Sequence, residues 1–329
     1  MSDAIIQVKN VSKRFGKKTI LKQVDFQITS GEIFGIIGLS GSGKTTLLNT
    51  MIGFLQPEVG DVRFKLEHLL NFRDDTQQYR SVFKNQMDVK KIFGFAAQTP
   101  SVYSQLNCVE NLDYFGKLYG LSKDIRQTNI DILLKLMDIY EARHIQAGNL
   151  SGGMMKRLDI ACALIHDPKI LILDEPTADL DPLLRKQMWN LIRQINEKGT
   201  TIILSSHFLD ELEHLCDRVG ILYDSRVIST GTPNEIKKFY SKEQEIRLET
   251  TPGKYDEILK KLEKYKDITI NSSKKEGNKL IIYTNKAERH LHKILHIVEE
   301  MDEILLDVTL EDPSLREVLE RVVNESKNG

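Results

Sequence analysis

The chain reads Gly38-Leu39-Ser40-Gly41-Ser42-Gly43-Lys44-Thr45 directly after the apolar run Ile33–Ile37 and before a helical pattern. This is a full match to GxxxxGK[ST] in the strand–loop–helix context that the motif requires. Glycine lacks a Cβ, so the backbone here can wrap phosphates closely and point its N–H groups at them. We expect Lys44 to neutralise the phosphates and the Thr45 hydroxyl to hold Mg²⁺. A glycine-rich turn without a ligand is the alternative, and it does not explain the complete pattern.

Length and composition exclude several classes of protein. The 329 residues carry 46 Lys+Arg against 47 Asp+Glu, and 40% of them are hydrophobic. At roughly 150 residues per domain, this predicts about two domains. A net charge of -1 gives no bulk attraction to nucleic acid, and the apolar content argues against disorder. With no membrane helix, no signal-peptide pattern and three widely spaced cysteines, we expect a soluble protein of a reducing, cytosolic compartment.

Strand and helix patterns alternate over residues 1–240, which predicts an α/β fold with a partly parallel sheet. Three apolar runs indicate buried strands: Ile33–Ile37, Lys169–Leu173 and Thr201–Leu204. Ligands gather at the carboxyl ends of such strands, and Asp174-Glu175 follows the second one. One carboxylate could hold Mg²⁺ and the next could orient or deprotonate a water. Taken alone, the pair could equally be a polar strand end.

Further motifs follow in a fixed order and carry a family resemblance. Leu150-Ser151-Gly152-Gly153-Met154 stands before an amphipathic helix and ahead of Asp174. This order resembles that of the ATP-binding cassette (ABC) ATPases, whose LSGGQ signature lies at this place, with Met154 replacing the usual Gln. The other matching positions are Phe15 (the aromatic that stacks on adenine), Gln98 (Q-loop), Asp174-Glu175 (Walker B), Ala178-Asp179-Leu180-Asp181 (D-loop) and His207 (switch histidine). The resemblance covers residues 4–240, except for the charged, glycine-free stretch between Gly60 and Phe93.

The resemblance implies a P-loop NTPase cassette with a helical signature subdomain, which binds and hydrolyses ATP with Mg²⁺. Glu175 would be the general base, His207 would position the γ-phosphate, and Lys44 would act on the phosphates. Mg²⁺ or its waters would be held by Thr45, Gln98 and Asp174. The implied ATP-binding residues are Phe15, Gly38, Leu39, Ser40, Gly41, Ser42, Gly43, Lys44, Thr45, Thr46 and, from a second copy of the chain, Ser151, Gly152 and Gly153. From the residues alone, Ser151 is also a good helix N-cap, and a capped helix start is an anion site.

The implied partners are a second ATP-binding subunit in a homodimer and a separate integral-membrane permease. Pro100–Tyr103, Val109–Leu112 and Leu118–Leu121 resemble the ABC-2 or drug-resistance type of subunit, which favours export and a cytoplasmic place at the inner face of the membrane. The main alternative is a soluble ABC ATPase that remodels nucleic acid or ribosomes. No second cassette, long coiled-coil insertion or basic surface supports it, so no nucleic acid is expected. A non-hydrolysing regulator is disfavoured because Glu175 and His207 are present.

Residues 241–329 change in texture and predict a small α+β domain. The expected strands are Glu245–Thr250, Ile268–Ser272, Lys279–Thr284 and Ile304–Thr309, and the expected helices are Tyr255–Tyr265 and His290–Glu300. This βαββαβ order, with a hairpin turn over Lys274–Asn278, is typical of a ferredoxin-like fold. A capping-box pattern predicts a last helix over Ser314–Val323. The domain could be regulatory, dimer-stabilising or only a stabilising appendage.

Histidines on the second predicted helix of this domain allow a metal site. His292 and His296 are one helical turn apart, and His290 shares part of their face. A solvated or half-buried helix face is the better interpretation, because no second ligand cluster accompanies them.

Overall fold

The computed structural model describes residues 4–65, 79–240, 244–262, 264–265, 268–311 and 314–319. The chain divides into two compact units, Met1–Pro233 and Asn234–Gly329. Among the described residues, none of the helices combines the length and the apolar character needed to cross a membrane.

The first unit is built from two sheets and two groups of helices. Its strands are β1 (Ala4–Phe15), β2 (Lys18–Thr29), β3 (Ile33–Ile37), β4 (Val59–Lys65), β5 (Tyr79–Ser81), β6 (Phe93–Ala96), β7 (Ile170–Asp174), β8 (Thr201–Ser206), β9 (Arg218–Tyr223) and β10 (Arg226–Gly231). Its helices are α1 (Lys44–Met51), α2 (Gln86–Ile92), α3 (Cys108–Leu118), α4 (Lys123–Leu136), α5 (Gly152–Leu164), α6 (Pro182–Glu197) and α7 (Leu209–Leu215). Helix α8 (Pro233–Tyr240) begins at the division between the units.

A six-stranded sheet in the order β10-β9-β3-β8-β7-β6 is the centre of this unit. The strands from β9 to β6 run parallel, and β10 is antiparallel to β9. Strands β3 and β7 are buried along their whole length, as strands covered on both faces should be. The α/β fold expected from the alternating patterns is therefore confirmed.

Alternate residues of the central strands point to different layers. Phe34 and Ile36 join a core with α1 and the second sheet, and the ring of Phe34 stacks on that of Phe26 with centroids 5.3 Å apart. Gly35, between them, faces α7, where an added Cβ would stand 2.9 Å from Leu212. The second sheet is antiparallel, in the order β2-β1-β4-β5, and sequence analysis did not anticipate it. It fills part of the stretch between Gly60 and Phe93, of which residues 66–78 lie outside the described residues.

The register of the central sheet places the predicted site residues side by side. Strand β3 has the predicted bounds, β7 extends to Asp174, and β8 extends to Ser206. Asp174 pairs with Ser205, and Ile37 pairs with Ser206. The carboxyl ends of β3, β7 and β8 consequently meet at one edge, with α1 beginning beside them.

The second unit has the predicted βαββαβ order. Its elements are β11 (Gln244–Thr251), α9 (Tyr255–Leu262), β12 (Ser272–Glu276), β13 (Lys279–Thr284), α10 (Ala287–Glu300) and β14 (Ile304–Glu311). The antiparallel sheet has the order β12-β13-β11-β14, with α9 and α10 contributing to one core. A ferredoxin-like fold is confirmed. Residues 315–319 are helical, and residues 320–323 of the predicted last helix lie outside the described residues.

Three predicted elements in this unit had bounds that were wrong by three or more residues, and one of them is α10, which begins at Ala287 and not at His290. The first hairpin strand is Ser272–Glu276, not Ile268–Ser272, because the chain reverses tightly at Gly277 (φ +59°), and Glu276 pairs directly with Lys279. Helix α9 ends at Leu262 and not at Tyr265, whose N–H bonds the Leu262 carbonyl in a turn.

The histidines of α10 have separate environments. His290 is buried, and its Nδ1 lies 2.8 Å from the Thr284 hydroxyl. His292 and His296 are exposed, and His296 pairs with Glu300 at 3.0 Å.

Candidate active site

At two positions in the loop between β3 and α1, Gly43 and Gly38, only glycine fits the backbone. Gly43, at the start of α1, has φ +108°, in the left-handed region. A Cβ on Gly38 would stand 2.4 Å from the Ser42 Oγ and 2.7 Å from the Leu222 carbonyl oxygen. Helix α1 has no side-chain cap, and its first internal hydrogen bond runs from Leu47 N–H to the Gly43 carbonyl. Its first-turn N–H groups are thus left for an anion.

Lys44 turns its ammonium group back into this loop. Its Nζ donates to the carbonyl oxygens of Gly38 (3.0 Å) and Leu39 (3.4 Å), and its residue is 7% exposed. The same Nζ lies 3.5 Å from the Glu175 Oε1. A buried positive charge is therefore held between the loop and the end of β7.

Ser205 links the two acidic residues at the end of β7. Its Oγ donates to the Asp174 Oδ1 at 2.6 Å and accepts from the Glu175 N–H at 3.0 Å. Asp174 and Ser205 are both buried. Glu175 has φ +50°, a backbone conformation that costs a non-glycine residue roughly 1–3 kcal/mol. These bonds hold it there, and the turn directs its side chain toward Lys44.

Glu175 and His207 form a direct pair. The Glu175 Oε2 lies 2.7 Å from the His207 Nδ1 and accepts from the His207 N–H at 3.3 Å. The imidazole is about half exposed, whereas the carboxylate is 9% exposed. Lys44, Glu175 and His207, predicted from three separate motifs, are therefore in one line of contacts.

The remaining predicted residues lie in three other places, at the end of β1, at the start of α5 and after β6. Phe15 ends β1 and is 51% exposed; the same hairpin contacts the loop through Ile20, which crowds Gly43. Ser151 is the N-cap of α5, where its Oγ accepts from the Met154 N–H at 3.3 Å. In the part of the chain that the structure describes, no hydrogen bond or ion pair joins residues 151–153 to residues 38–46.

Gln98 is exposed just after β6, and its backbone is held by residues that sequence analysis missed. The Lys156 Nζ of α5 donates to the Gln98 carbonyl, and the Asp159 Oδ1 accepts from the Ser101 N–H at 2.8 Å. Burial lowers the pKa of Lys156 and raises the pKa of Asp159 to about 6. The only signal for these contacts in the sequence was a pair of opposite charges, Lys156 and Asp159, three positions apart on one face of the helix.

The described residues fit a nucleoside triphosphate with Mg²⁺. The loop has glycines where a Cβ would collide, a buried lysine, and a Ser42 Oγ that is buried without a hydrogen-bond partner among the described residues. Thr45, Asp174 and Gln98 offer hydroxyl, carboxylate and amide oxygens, the donors that Mg²⁺ prefers.

The fold and these contacts define a P-loop nucleotide-binding ATPase cassette. The family described as "ABC transporter" matches residues 21–178. The linearmycin resistance ATP-binding protein LnrL of Bacillus subtilis is 33% identical over 232 residues, which are 70% of each chain. This chain belongs to the ABC transporter family, as its ATP-binding ATPase component.

Two further likenesses cover the same part of the chain. The Nod factor export ATP-binding protein I of Burkholderia lata is 33% identical over 236 residues, 72% of this chain and 73% of that protein. The solved structure of cbiO1 from Clostridium perfringens, part of the ABC transporter complex cbiONQ, has a TM-score of 0.62 and 30% identity. It covers 71% of this chain and 91% of that one.

Proposed function

We propose that this chain is the ATP-hydrolysing subunit of an ABC exporter, which works as a homodimer beneath a separate membrane permease. The observation that carries the proposal is the contact line Lys44–Glu175–His207 at the carboxyl ends of β7 and β8. It supports hydrolysis, because the Glu175 carboxylate lies beside the loop that would hold the γ-phosphate.

Glu175 is the proposed general base. With ATP in the loop, Lys44 and the first-turn N–H groups of α1 stabilise the negative charge of the phosphates. Lys44 then no longer contacts Glu175. A water then attacks the γ-phosphorus as Glu175 takes its proton, the bond to the β-phosphate oxygen breaks, and ADP leaves. His207 holds the Glu175 carboxylate in place through Nδ1 and keeps its other ring nitrogen for the γ-phosphate. Thr45, Asp174 and Gln98 would hold Mg²⁺, which would neutralise part of the phosphate charge.

A second copy of the chain is proposed to complete the site. Ser151 and Gly152 are exposed at the start of α5, and nothing lies within 4 Å of a Cβ placed on Gly152. This leaves a capped helix N-terminus open to an anion, with no contact to its own phosphate loop. A head-to-tail homodimer, with Ser151, Gly152 and Gly153 facing the ATP of the partner copy, would use it.

A groove beside β6 supports the proposal of a membrane partner. A cavity of about 320 Å³ is lined by apolar and aromatic side chains, among them Phe54, Val89, Phe95 and Tyr119. Phe54 is 71% exposed, and a solvent-facing aromatic groove of this kind is typical of a protein interface. A permease helix docked there would hold the chain at the cytoplasmic face of the membrane. The export direction is supported by relatives whose names refer to linearmycin resistance and Nod factor export.

The Glu175→Gln variant tests the proposal. It keeps the shape and loses the base, so we expect ATP binding to persist while turnover falls roughly 100-fold or more. Because ATP is no longer consumed, size-exclusion chromatography with ATP and Mg²⁺ should show a trapped dimer.

Glu197→Gln is the matched control, since Glu197 is exposed at the end of α6. It should hydrolyse ATP like the wild type and form no trapped dimer. Unimpaired turnover in Glu175→Gln would exclude Glu175 as the base.

A further inference from the structure

Two oppositely charged side chains of α5 reach the segment that follows β6. The Lys156 ammonium donates to the carbonyl oxygens of Gln98 and, at 3.5 Å, Ala97. The Asp159 carboxylate accepts from the Ser101 N–H at 2.8 Å. Positions three apart lie on the same face of a helix, so one turn of α5 grips both ends of the segment Ala97–Ser101.

Both groups are buried, and burying a charged group costs free energy unless it is hydrogen-bonded or paired. Lys156 is 8% exposed and Asp159 is 4% exposed, and the Asp159 Oδ2 is buried without a hydrogen-bond partner among the described residues. Burial lowers the pKa of Lys156, while the nearby carboxylates of Asp159, Asp179, Asp174 and Glu175 oppose that shift. The Lys156 ammonium is therefore within electrostatic reach of the proposed catalytic carboxylates.

We propose that Lys156 and Asp159 are positioning residues, which fix the backbone of Ala97–Ser101 so that the Gln98 side chain can serve the Mg²⁺ of its own site. The inference rests on the proposed function, because it assumes the role given there to Gln98. It assigns no contact with the nucleotide to either residue.

We call the two contacts of Lys156 and Asp159 with the segment Ala97–Ser101 the clasp. Their position on α5 gives the clasp a second consequence. Helix α5 starts at Ser151, which is proposed to face the nucleotide of the partner copy, and Lys156 and Asp159 lie in the turns that follow. Because a helix shifts as a unit, a displacement of its N-terminus on dimer closure moves Gln98 through these two bonds. Closure at one site is thereby linked to the metal ligand of the other.

The Lys156→Met variant tests the clasp, since Met keeps the length and loses the donor. We expect kcat to fall about tenfold, the effect of losing one charge-assisted hydrogen bond. In the Glu175→Gln background, we expect Mn²⁺ binding with ATP, followed by electron paramagnetic resonance, to weaken by about the same factor. ATP binding without metal should stay unchanged. Lys156→Arg, which can still donate to both carbonyls, should restore kcat and metal binding.

Lys198→Met is the matched control, because it removes the same charge at an exposed position of α6's C-terminal end. The clasp is overturned if Lys156→Met behaves like Lys198→Met, or if Lys156→Arg is impaired as much as Lys156→Met. In either case Glu175→Gln still reports separately on the proposed function.

A double variant tests whether both residues act through one segment. Asp159→Ala removes the bond to Ser101 N–H, and we expect Asp159→Ala with Lys156→Met to lower kcat by less than the product of the two single effects. Effects that multiply fully would show that the two residues act independently, which the proposal excludes.

Discussion

Ser205 bonds both acidic residues at the end of β7, Asp174 through its carboxylate and Glu175 through its backbone. It is completely buried, donates to Asp174 and receives the N–H of Glu175. Glu175 adopts a left-handed backbone, and its N–H also bonds the Ser205 carbonyl oxygen at 3.2 Å. The hydroxyl therefore fixes the proposed metal ligand and the proposed base relative to each other.

We expect Ser205→Ala to lower kcat roughly tenfold, because the Asp174 carboxylate loses its hydroxyl donor and the Glu175 N–H loses one of its acceptors. The buried Asp174 oxygen loses its partner, so the free energy of unfolding should also fall by about 1–2 kcal/mol. Steady-state ATPase assays and urea unfolding measure the two effects.

Ser30→Ala is the control for the serine, because Ser30 is exposed after β2. It should match the wild type in both measurements. If Ser205→Ala kept full activity, Asp174 and Glu175 would not depend on this hydroxyl.

The sequence predicted the individual site residues whose motif carries its own chemistry. Lys44, Glu175 and His207 were identified from three motifs, and the structure brings them into contact. Ser205 and Lys156 were missed, since their partners are distant in sequence and no local pattern marks a hydrogen bond across a sheet or between a helix and a loop.

The start of α3 is organised around one buried amide. The Asn111 Oδ1 accepts from the Tyr103 N–H at 2.8 Å, and its Nδ2 donates to the carbonyl oxygens of Tyr103 (3.1 Å), Leu106 (3.1 Å) and Asn107 (3.0 Å). Asn107 forms a capping box with Glu110 at the same helix start. The amide thus ties the loop after Ser101 to the first turn of the helix.

We expect Asn111→Ala to lower the free energy of unfolding of the first unit by about 2–4 kcal/mol, because four hydrogen bonds between the buried amide and the loop backbone are lost at once. Trp189 is the single tryptophan of the chain and lies in α6, so its fluorescence in urea reports this unit.

Asn129→Ala is the comparison, since the Asn129 side chain makes one bond, to the Ile165 carbonyl at 2.8 Å. Its cost should be about 1 kcal/mol. Equal losses in the two variants would contradict the role given to Asn111.

Element prediction succeeded where burial alone decides. The strand β3 has the predicted bounds because all five residues are apolar and buried. The hairpin of β12 was placed wrongly because every residue of that strand is exposed, so no apolar alternation marked its register. In the antiparallel sheet of β1, β2, β4 and β5, the local β1–β2 hairpin was overlooked, and the β1–β4 pairing was missed because it joins segments far apart in the chain.

In the whole molecule, the two halves of the proposed ATP site do not meet within one chain. The phosphate loop contacts Glu175 and His207 by way of Lys44, whereas the signature residue Gly153 packs toward Leu184 and Leu180. A homodimer about a twofold axis would bring each loop to the other copy's signature, which gives two sites per dimer. The role of the second unit, regulatory or dimer-stabilising, stays a prediction.

Mixing two inactive variants tests this shared site. Lys44→Ala removes the ammonium group of the phosphate loop and leaves the signature intact. Ser151→Arg blocks the signature with a larger side chain and leaves the loop intact. In the mixed dimer, one site has an intact loop from the Ser151→Arg copy and an intact signature from the Lys44→Ala copy. With random pairing, half of the dimers are mixed and each has one working site of two, so ATPase activity should recover to about a quarter of the wild-type value. A mixture no more active than its separate components would contradict a site built from two copies, while activity in Ser151→Arg alone would show that the signature is not needed.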